Sequence, residues 1–442
     1  MSIFKAYDIR GVVPDELDAG IAGRIGRAAG RFLGASSLVV GRDARSHSPE
    51  LAEALTQGLR ESGVDVIDLG LCATPMLYFA VEHLGAGGGI VVTASHNPGR
   101  YNGFKVCREH AIPVAGDSGL ADIERLCGDL PEPAARPGRQ TTADVAGPYV
   151  EHLLAVGSGR PRLKVAIDCG NGMASVGLEP LLERLPLEVE RLYFEPDGSF
   201  PNHEADPLKR ENLEDLIAAV KRTGADFGVA FDGDADRAIF VDERGEPVPS
   251  DLMTGVLAGP RLRRSPGARV LYDLRSSRAT VEAIEAAGGV PEMSRVGHSF
   301  FKARLRETGG VFGGELSGHF YFRFSDQLVA DDGLAAFVAL LEVLAEEGKP
   351  LSEIVAPLRR YHASGEISRR VNDAEALLAS LEAEHGDAEI SHLDGLLVRY
   401  PDWWFNVRAS NTEPVVRLNL EADREETMRE HRDALVARME SA

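Results

Sequence analysis

The stretch "SLVVGRDAR" (residues 37–45) is a short run of β-branched apolar residues that ends in an aspartate and a polar loop. The same layout returns in "LKVAIDCGNG" (163–172) and in "ARVLYDLRSS" (268–277). A helix-length segment and a second apolar run follow each copy. Apolar runs that alternate with amphipathic helices are typical of βαβ units with parallel strands. The chain therefore contains three copies of one α/β pattern.

One further strand and an unusual turn complete each repeat. The first repeat reaches "GGIVVTASHNP" (88–98), the second "ADFGVAFDGDADR" (225–237) and the third "GGVFGGELSGH" (309–319). In open α/β sheets, ligands bind beyond the carboxyl ends of the strands. We therefore expect the three turns to face a common cleft.

The pattern changes after about residue 360. The segment "GLLVRYPDWWFNVRASNTEPVVRLNLEA" (395–422) reads as strands interrupted by one polar turn, and a charged helix follows it. We expect an α/β protein: three related domains with βαβ-type mixed sheets and a C-terminal α+β domain, all around a central cleft. The expected domain boundaries are 1–145, 146–246, 247–360 and 361–442, whereas the Pro-rich stretch 129–140 reads as a linker.

Composition excludes several classes of protein. The chain has 442 residues, too many for one core. Its net charge of −21 argues against a nucleic-acid partner and against attraction to an anionic membrane. The four cysteines form no CxxC pair, which is typical of thiols in a reducing compartment. With no signal-peptide pattern and no apolar run of about 20 residues, we expect a soluble, cytoplasmic protein.

The turn "DGDADR" (232–237) concentrates three carboxylates, those of Asp232, Asp234 and Asp236. They repel one another unless a hard cation lies among them, although a solvated acidic turn is the plain alternative. A calcium EF-hand does not fit, because Arg237 stands where that loop needs glycine and a strand-like run follows. We favour Mg²⁺ held by the aspartates and a phosphate oxygen, with Arg237 as a phosphate contact.

Ser95 in "TASHNP" could be a nucleophile, a helix cap or a turn residue. A serine hydrolase needs GxSxG, and both glycines are missing here. Neighbouring side chains at a strand end usually point apart, so no direct proton relay to His96 is expected. A serine that faces a magnesium site can instead carry a phosphoryl group. Lys105 of "NGFK" could then steer the phosphate or accept a proton from an attacking hydroxyl.

Two further loops offer polar groups of different kinds. In "RASNTEP" (408–414) a guanidinium, two hydroxyls and an amide suit a dianionic phosphate, although a plain turn is the alternative. In "GELSGH" (314–319), Glu315 and Ser317 suit two neighbouring sugar hydroxyls. His298 in "GHS" is a candidate for contact with phosphate or for proton transfer.

Seven motifs together resemble one known family. In chain order they are "YDIRG", "TASHNP", "GFK", "DGDADR", "GHS", "GGELSGH" and "RASNTEP". They resemble the α-D-phosphohexomutase superfamily, and above all the bacterial phosphomannomutase/phosphoglucomutase group, over residues 7 to about 414. The resemblance implies an isomerase of carbohydrate metabolism that is itself a phosphoprotein. It also implies Mg²⁺, glucose 1,6-bisphosphate as activator and intermediate, hexose phosphates as partners, and a monomer or homodimer.

The resemblance also assigns roles to residues. Ser95 would be the phosphoserine and would hold Mg²⁺ together with Asp232, Asp234 and Asp236. The residues that assist catalysis would be Lys105, Arg10 and His298. The residues that bind substrate would be Tyr7, Arg237, Arg275, Glu315, Ser317, Arg408, Ser410, Asn411 and Thr412. Relatives carry lysine where this chain has Arg275, and a planar guanidinium makes different contacts from an ammonium.

The reaction implied is a double transfer that interconverts mannose 1-phosphate and mannose 6-phosphate, and the two glucose phosphates likewise. Phospho-Ser95 would give its phosphoryl group to O6 of a hexose 1-phosphate, and the 1,6-bisphosphate would return its other phosphate. The fourth domain is expected to close over substrate, because water must be excluded. Leu316 and Thr93 favour glucose or mannose phosphates. The alternatives are a phosphoglucosamine mutase and a sugar-phosphate-binding protein without turnover.

Overall fold

A computed structural model of the protein describes residues 3–409 and 415–442. Four β-sheets follow one another along the chain, and helices pack on each of them. Each sheet with its helices is called a unit below. Within the described residues, no helix is both long enough and apolar enough to cross a membrane.

The first unit contains a six-stranded sheet. Its strands are β1 (Ile9–Val12), β2 (Ser37–Arg42), β3 (Asp65–Leu71), β4 (Gly88–Val92), β5 (Tyr101–Arg108) and β6 (Gln140–Thr142). Its helices are α1 (Ala19–Leu33), α2 (Ser48–Glu61), α3 (Thr74–His83) and α4 (Ala121–Gly128). The strand order is β1-β5-β4-β2-β3-β6, with β2 parallel to β3 and β4, and with β5 antiparallel to β4.

The second unit repeats this plan with a five-stranded sheet. Its helices are α5 (Ala146–Leu154), α6 (Ala174–Leu182) and α7 (Glu214–Thr223). Its strands are β7 (Leu163–Asp168), β8 (Leu187–Leu192), β9 (Phe227–Phe231), β10 (Ala238–Asp242) and β11 (Pro247–Val248). Strand β7 pairs in parallel with β8 and β9, and β10 then runs antiparallel to β9.

The third unit has the same connectivity. Its strands are β12 (Arg269–Asp273), β13 (Val290–Ser294), β14 (Phe312–Gly314), β15 (Phe320–Arg323) and β16 (Val329–Asp331). Its helices are α8 (Ser250–Arg264), α9 (Arg278–Ala286), α10 (His298–Thr308), α11 (Gly333–Glu347) and α12 (Leu351–Val355). Strand β12 is parallel to β13 and β14, so the three predicted repeats are confirmed as βαβ units extended by antiparallel strands.

The fourth unit is an antiparallel sheet with two helices. Its strands are β17 (His362–Ala363), β18 (Ile367–Arg370), β19 (Glu389–Ser391), β20 (Leu396–Arg399), β21 (Trp403–Ala409) and β22 (Val415–Ala422). Its helices are α13 (Ala374–Glu384) and α14 (Glu425–Glu440). The predicted fold class, three related α/β domains and a C-terminal α+β domain, is confirmed.

The cores of the units are joined to different extents. One continuous apolar cluster runs through the first three units, and helix α11 lies at its centre with residues 333–344 all buried. The fourth unit has an apolar cluster of its own, which lies between its sheet and its helices. The first three units therefore share one buried framework, against which the fourth unit is packed as a separate body.

The sequence predicted that the stretch 129–140 is a linker, but the structure holds it against the first unit. Its backbone is held along the first unit: the amide of Ala134 donates to the carbonyl of Glu61, and that of Gly138 donates to Arg60. The chain then adds β6 in parallel to the edge of β3. All three residues of β6 are exposed, so backbone pairing holds this segment in place without an apolar face.

Candidate active site

Ser95 lies in a turn just after β4, at the carboxyl end of that strand. Its φ of +52° places a non-glycine residue in the left-handed region, at a cost of about 1–3 kcal/mol. The fully buried guanidinium of Arg45 offsets this cost. It donates hydrogen bonds of 2.7–3.1 Å to the carbonyl oxygens of Ser95, Asn97, Pro98 and Tyr101. The turn is thus built around one arginine.

The hydroxyl of Ser95 is buried and donates to Asp232 Oδ2 at 2.9 Å. It also lies 3.1 Å from His96 Nδ1, so the expectation that these two neighbours point apart is wrong. That expectation assumed extended backbone, and the positive φ at Ser95 breaks the alternation of side chains. Burial, together with the charges of Arg237 and Arg10, lowers the pKa of His96 well below its usual value, so the imidazole is neutral.

The aspartate triplet Asp232, Asp234 and Asp236 occupies the turn between β9 and β10 and is almost completely buried. One carboxylate oxygen from each of the three residues lies within 4.8 Å of the other two. Lys105 reaches the triplet from β5 and places Nζ 2.5 Å from Oδ2 of both Asp234 and Asp236. The first and second units are therefore joined here by buried charges.

The pKa values of the carboxyl groups in the triplet shift in opposite directions. Burial and the two neighbouring carboxylates raise the pKa of Asp232 well above its usual value. Burial also disfavours ionisation of Asp236, but Lys105 and His319 hold its pKa well below the usual range. Burial lowers the pKa of Lys105, yet Asp234 and Asp236 raise it above the usual value. Lys105 is therefore an ammonium, which can steer a phosphate but has no lone pair to accept a proton.

The triplet fits a hard divalent cation such as Mg²⁺. Carboxylate oxygens are the ligands that Mg²⁺ prefers. One of them, Asp234 Oδ1, is buried and has no hydrogen-bond partner among the described residues. A second group, Asp236, His319 and Asp331, is equally compact, but one of its three ligands is an imidazole nitrogen, whereas Mg²⁺ takes oxygen ligands. The aspartate triplet is therefore the better candidate for a metal.

The third unit contributes the turn between β14 and β15. Glu315 is buried there and accepts hydrogen bonds from the amide of Gly297 at 2.7 Å and from the hydroxyl of Tyr321 at 2.5 Å. Ser317 Oγ lies 3.1 Å from His319 Nδ1. Glu315 is thus held rigidly, whereas Ser317 is only partly buried.

His319 belongs to the site, although the sequence analysis did not select it. Its Nε2 lies 3.2 Å from Asp236 Oδ1, and its backbone pairs with that of Arg237 in an antiparallel bridge. Arg237 in turn donates its backbone amide to Asp232. The only signal in the sequence was that His319 closes the motif "GGELSGH".

The predicted residues Tyr7, Arg10 and His298 lie around the serine turn and the third unit. Arg10 donates to Asn97 Oδ1 at 2.6 Å and pairs with Asp8. The ring of Tyr7 is 5.7 Å from that of His298. Burial and the charge of Lys302 lower the pKa of His298 well below its usual value. His298 is therefore a neutral ring in this structure.

Arginines gather where the third and fourth units meet. Arg275 binds Asp273 with two hydrogen bonds, of 2.8 and 3.2 Å, and reaches Glu366 Oε2 at 3.1 Å. Asp273 Oδ2 also accepts from the amide of Leu316, which ties this cluster to the turn that carries Glu315. Ser410, Asn411 and Thr412, which the sequence predicted to bind phosphate, lie outside the described residues.

Arg408 and Arg417 complete this group of guanidinium groups. They face each other across β21 and β22. Arg417 Nη1 lies 3.3 Å and Arg408 Nη2 3.8 Å from the carboxylate of Glu366. Arg417 and Glu366 carry no signal in the sequence, because both lie in ordinary strand-like segments with no motif around them.

These contacts form one connected series. From Ser95 it passes to the aspartate triplet, then through His319 to Glu315, and through Asp273 to the arginines. It offers a hydroxyl beside a candidate cation site at one end, polar groups for a polyol in the middle, and guanidinium groups for an anion at the other end. Such a series suits a phosphorylated sugar.

Comparisons with known proteins agree with this geometry. The phosphoglucomutase/phosphomannomutase family models match in order: alpha/beta/alpha domain I over residues 1–129, domain II over 147–245, domain III over 249–361 and the C-terminal domain over 366–438. A protein named "Phosphohexose mutases" from Xanthomonas campestris pv. campestris (strain B100) is 43% identical over 427 residues, which cover 95% of this chain and 94% of the relative.

Two further relatives span nearly the whole chain. A phosphomannomutase of Salmonella montevideo is 42% identical over 437 residues, covering 96% of this chain and 95% of the relative. The crystal structure of a phosphoglucomutase/phosphomannomutase family protein from Burkholderia thailandensis superimposes with a TM-score of 0.91 at 38% identity. That match covers 99% of this chain and 97% of the other.

Proposed function

Because the chain belongs to the phosphoglucomutase/phosphomannomutase family and is thus a phosphohexomutase, an isomerase, we propose that Ser95 carries the phosphoryl group between C1 and C6 of its substrate. The substrates proposed are the phosphates of mannose and glucose. The observation that carries the proposal is the Ser95 hydroxyl, held 2.9 Å from Asp232 in a turn that Arg45 fixes in a strained conformation.

The three aspartates of the triplet would hold Mg²⁺ together with the oxygen of Ser95. When bound, the cation neutralises charge on the phosphoryl group that is transferred. Lys105 and Arg237 add positive charge beside the same carboxylates. Because these groups are buried and already oriented, they stabilise developing charge without reorganising.

The proposed reaction has two transfers. The phosphoryl group first passes from Ser95 Oγ to O6 of a hexose 1-phosphate and yields a 1,6-bisphosphate. In each transfer the attacking hydroxyl loses its proton as its oxygen bonds to phosphorus, and the oxygen that leaves phosphorus takes up a proton. The bisphosphate turns over in the site, and its other phosphate then passes from O1 to Ser95 Oγ, leaving a hexose 6-phosphate. Added glucose 1,6-bisphosphate would act as an activator, because it phosphorylates an unmodified serine.

The other candidate residues would orient the sugar phosphate. We propose that Glu315 and Ser317 bind sugar hydroxyls and that Arg408, with Ser410, Asn411 and Thr412 of the same sequence motif, binds the phosphate that is not transferred. Arg275 would assist Arg408, since both reach Glu366. Tyr7 would contact the substrate, Arg10 and His298 would assist the two transfers, and the four domains would follow the boundaries given above.

The proposal is tested by mapping phosphate on the purified protein and by assaying it with Mg²⁺ on mannose 1-phosphate, glucose 1-phosphate and glucosamine 1-phosphate. We expect phosphate on Ser95 and turnover that collapses in Ser95→Ala. Ser36→Ala is the matched control, because Ser36 is an exposed serine of the first unit. An unmodified Ser95 with no turnover, even after priming with glucose 1,6-bisphosphate, would leave only sugar-phosphate binding. A preference for glucosamine 1-phosphate would change the proposed substrate alone.

A further inference from the structure

We propose that Glu366 is an internal counter-anion of the phosphate subsite: it holds the arginines when the site is empty, and the phosphate of the substrate replaces it. The inference rests on the proposed function, since it takes the group Arg275, Arg408 and Arg417 as that subsite. We call these three residues the arginine cluster.

The arginine cluster needs an anion to balance its positive charge. Arg408 and Arg417 lie directly opposite each other on β21 and β22, where like charges repel. Arg275 brings a third guanidinium from another unit. Arg275 and Arg408 are more than nine-tenths buried, so water screens their repulsion poorly. Glu366 is the carboxylate that contacts all three.

Glu366 forms only part of the hydrogen bonds that the arginine cluster can donate. It accepts a hydrogen bond from Arg275 at 3.1 Å and one from Arg417 at 3.3 Å, but it is 3.8 Å from Arg408, which is too far for a hydrogen bond. Arg408 Nε is buried and has no hydrogen-bond partner among the described residues. Arg275 has Asp273 as a second partner, so Arg408 is the member of the arginine cluster that Glu366 reaches least well.

A phosphate monoester fits the arginine cluster better than Glu366 does. It carries nearly two negative charges and three acceptor oxygens, one for each guanidinium. Arg408 Nε, which has no partner among the residues that the structure describes, supplies a donor that Glu366 leaves unused. A dianion therefore gains more from the arginine cluster than Glu366 does, whereas a monoanionic ligand gains little over it.

Glu366 can move away from the arginine cluster at a low cost in free energy. Its side chain is 28% exposed, so part of it already lies in contact with water. It lies in the turn between β17 and β18, next to Gly365, whose φ of +69° is a conformation that glycine adopts freely. Burial opposes its ionisation, but Arg275, Arg417 and Arg408 lower the pKa of Glu366 below its usual value, so the carboxylate is charged.

The test compares binding of glucose 1-phosphate to the dephosphorylated full-length protein by calorimetry at pH 8, where the phosphate is a dianion. Glu366→Gln removes the competing charge, and we expect Kd to fall about two- to fivefold. Glu389→Gln is the matched control, because Glu389 pairs with Arg399 at an exposed place in the same unit. It makes the same change of net charge and should leave Kd as it is.

Two further variants keep the outcomes distinct. Arg408→Gln should weaken binding if the proposed subsite is right. If Arg408→Gln weakens binding while Glu366→Gln leaves Kd unchanged or raised, Glu366 only positions the arginines. The inference about Glu366 is then overturned, and the proposed phosphate subsite stands. If Arg408→Gln has no effect, the subsite and the inference fall together. Should Glu366→Gln not fold, Glu366→Asp keeps the charge but shortens its reach; binding no tighter than that of the parent protein would overturn the inference.

Discussion

The two ends of the site are opposite in charge and alike in construction. At one end, the ammonium of Lys105 contacts two of three buried aspartates. At the other end, three guanidinium groups surround the carboxylate of Glu366. Each end thus contains a counter-ion supplied by the chain itself. The contacts of Lys105 are 2.5 Å long and fully buried, whereas those of Glu366 range from 3.1 to 3.8 Å and are partly exposed.

This difference follows from where the two ends are built. Lys105 and the aspartates stand on β5 and on the β9–β10 turn, within units that share one continuous core. Glu366 and two of its arginines belong to the fourth unit, which has a separate core, and the third arginine comes from the unit before it. The aspartate end is therefore rigid before substrate arrives, whereas the arginine end can exchange its occupant.

The largest effect is expected from Lys105→Met. It leaves Asp234 and Asp236 buried without their partner, so we expect the free energy of unfolding in EDTA to fall by about 3–5 kcal/mol. We also expect turnover to be lost, because the positive charge beside the transferred phosphate disappears. The measurement is urea unfolding followed by fluorescence, together with the mutase assay.

Added Mg²⁺ sharpens this prediction. It should restore more stability to Lys105→Met than it gives to the parent protein, because the cation takes the place of the lost ammonium. Lys164→Met is the control: its pair with Glu188 is exposed and should contribute less than about 1 kcal/mol. Equal stabilisation of both proteins by Mg²⁺ would show that the metal does not bind at the aspartate triplet.

A smaller effect is expected from Arg45→Met. The variant removes the donors that hold the serine turn and leaves several carbonyl oxygens buried without partners. We expect a loss of about 2–3 kcal/mol in unfolding free energy and a kcat at least about tenfold lower. Urea unfolding and steady-state kinetics measure the two quantities. An unchanged kcat in a folded variant would show that the turn keeps its conformation without Arg45.

Arg275→Lys tests the flexible end and should act more weakly. An ammonium cannot reproduce the two hydrogen bonds to Asp273, so the turn that starts at Leu316 loses part of its support. We expect KM to rise about three- to tenfold and kcat to change little, because the reacting atoms lie at the other end. The opposite pattern, with kcat reduced at constant KM, would place Arg275 in the chemical step.

The sequence predicted most of the framework because its signals are local. In each repeat the apolar run, the helix and the next run lie within about forty residues, and β7, α6 and β8 show the expected parallel pairing. Ser95, Lys105 and the aspartates were found for the same reason, since each belongs to a short motif at a strand end. Strand β6 gave no such signal: its three residues are polar and exposed.

What the sequence did not predict depends on one dihedral angle or on packing between units. The approach of Ser95 to His96 follows from a positive φ at one non-glycine residue, which no alternation rule reveals. Glu366 and Arg417 meet Arg275 only because the third and fourth units pack together. His319 joins Asp236 through pairing between two units. Their chemistry was visible in the sequence, but their proximity was not.

The smallest expected effect tests a third pair near the rigid end, that of His203 and Asp168, whose atoms are 3.1 Å apart. Burial lowers the pKa of His203, but Asp168 raises it, and the pKa lies above its usual value. A raised histidine pKa contributes stability that is complete below the unfolded pKa of about 6.5 and is lost as pH rises through the folded pKa. The unfolding free energy of the parent protein should therefore decline above about pH 6, and in His203→Gln the contribution of this pair to that decline should vanish. We expect a change of less than about 1 kcal/mol, measured by urea titrations from pH 5.5 to 8.5. Parallel pH profiles for the two proteins would mean that the pair of His203 and Asp168 is not charged in the folded state and contributes no pH-dependent stability to the rigid end.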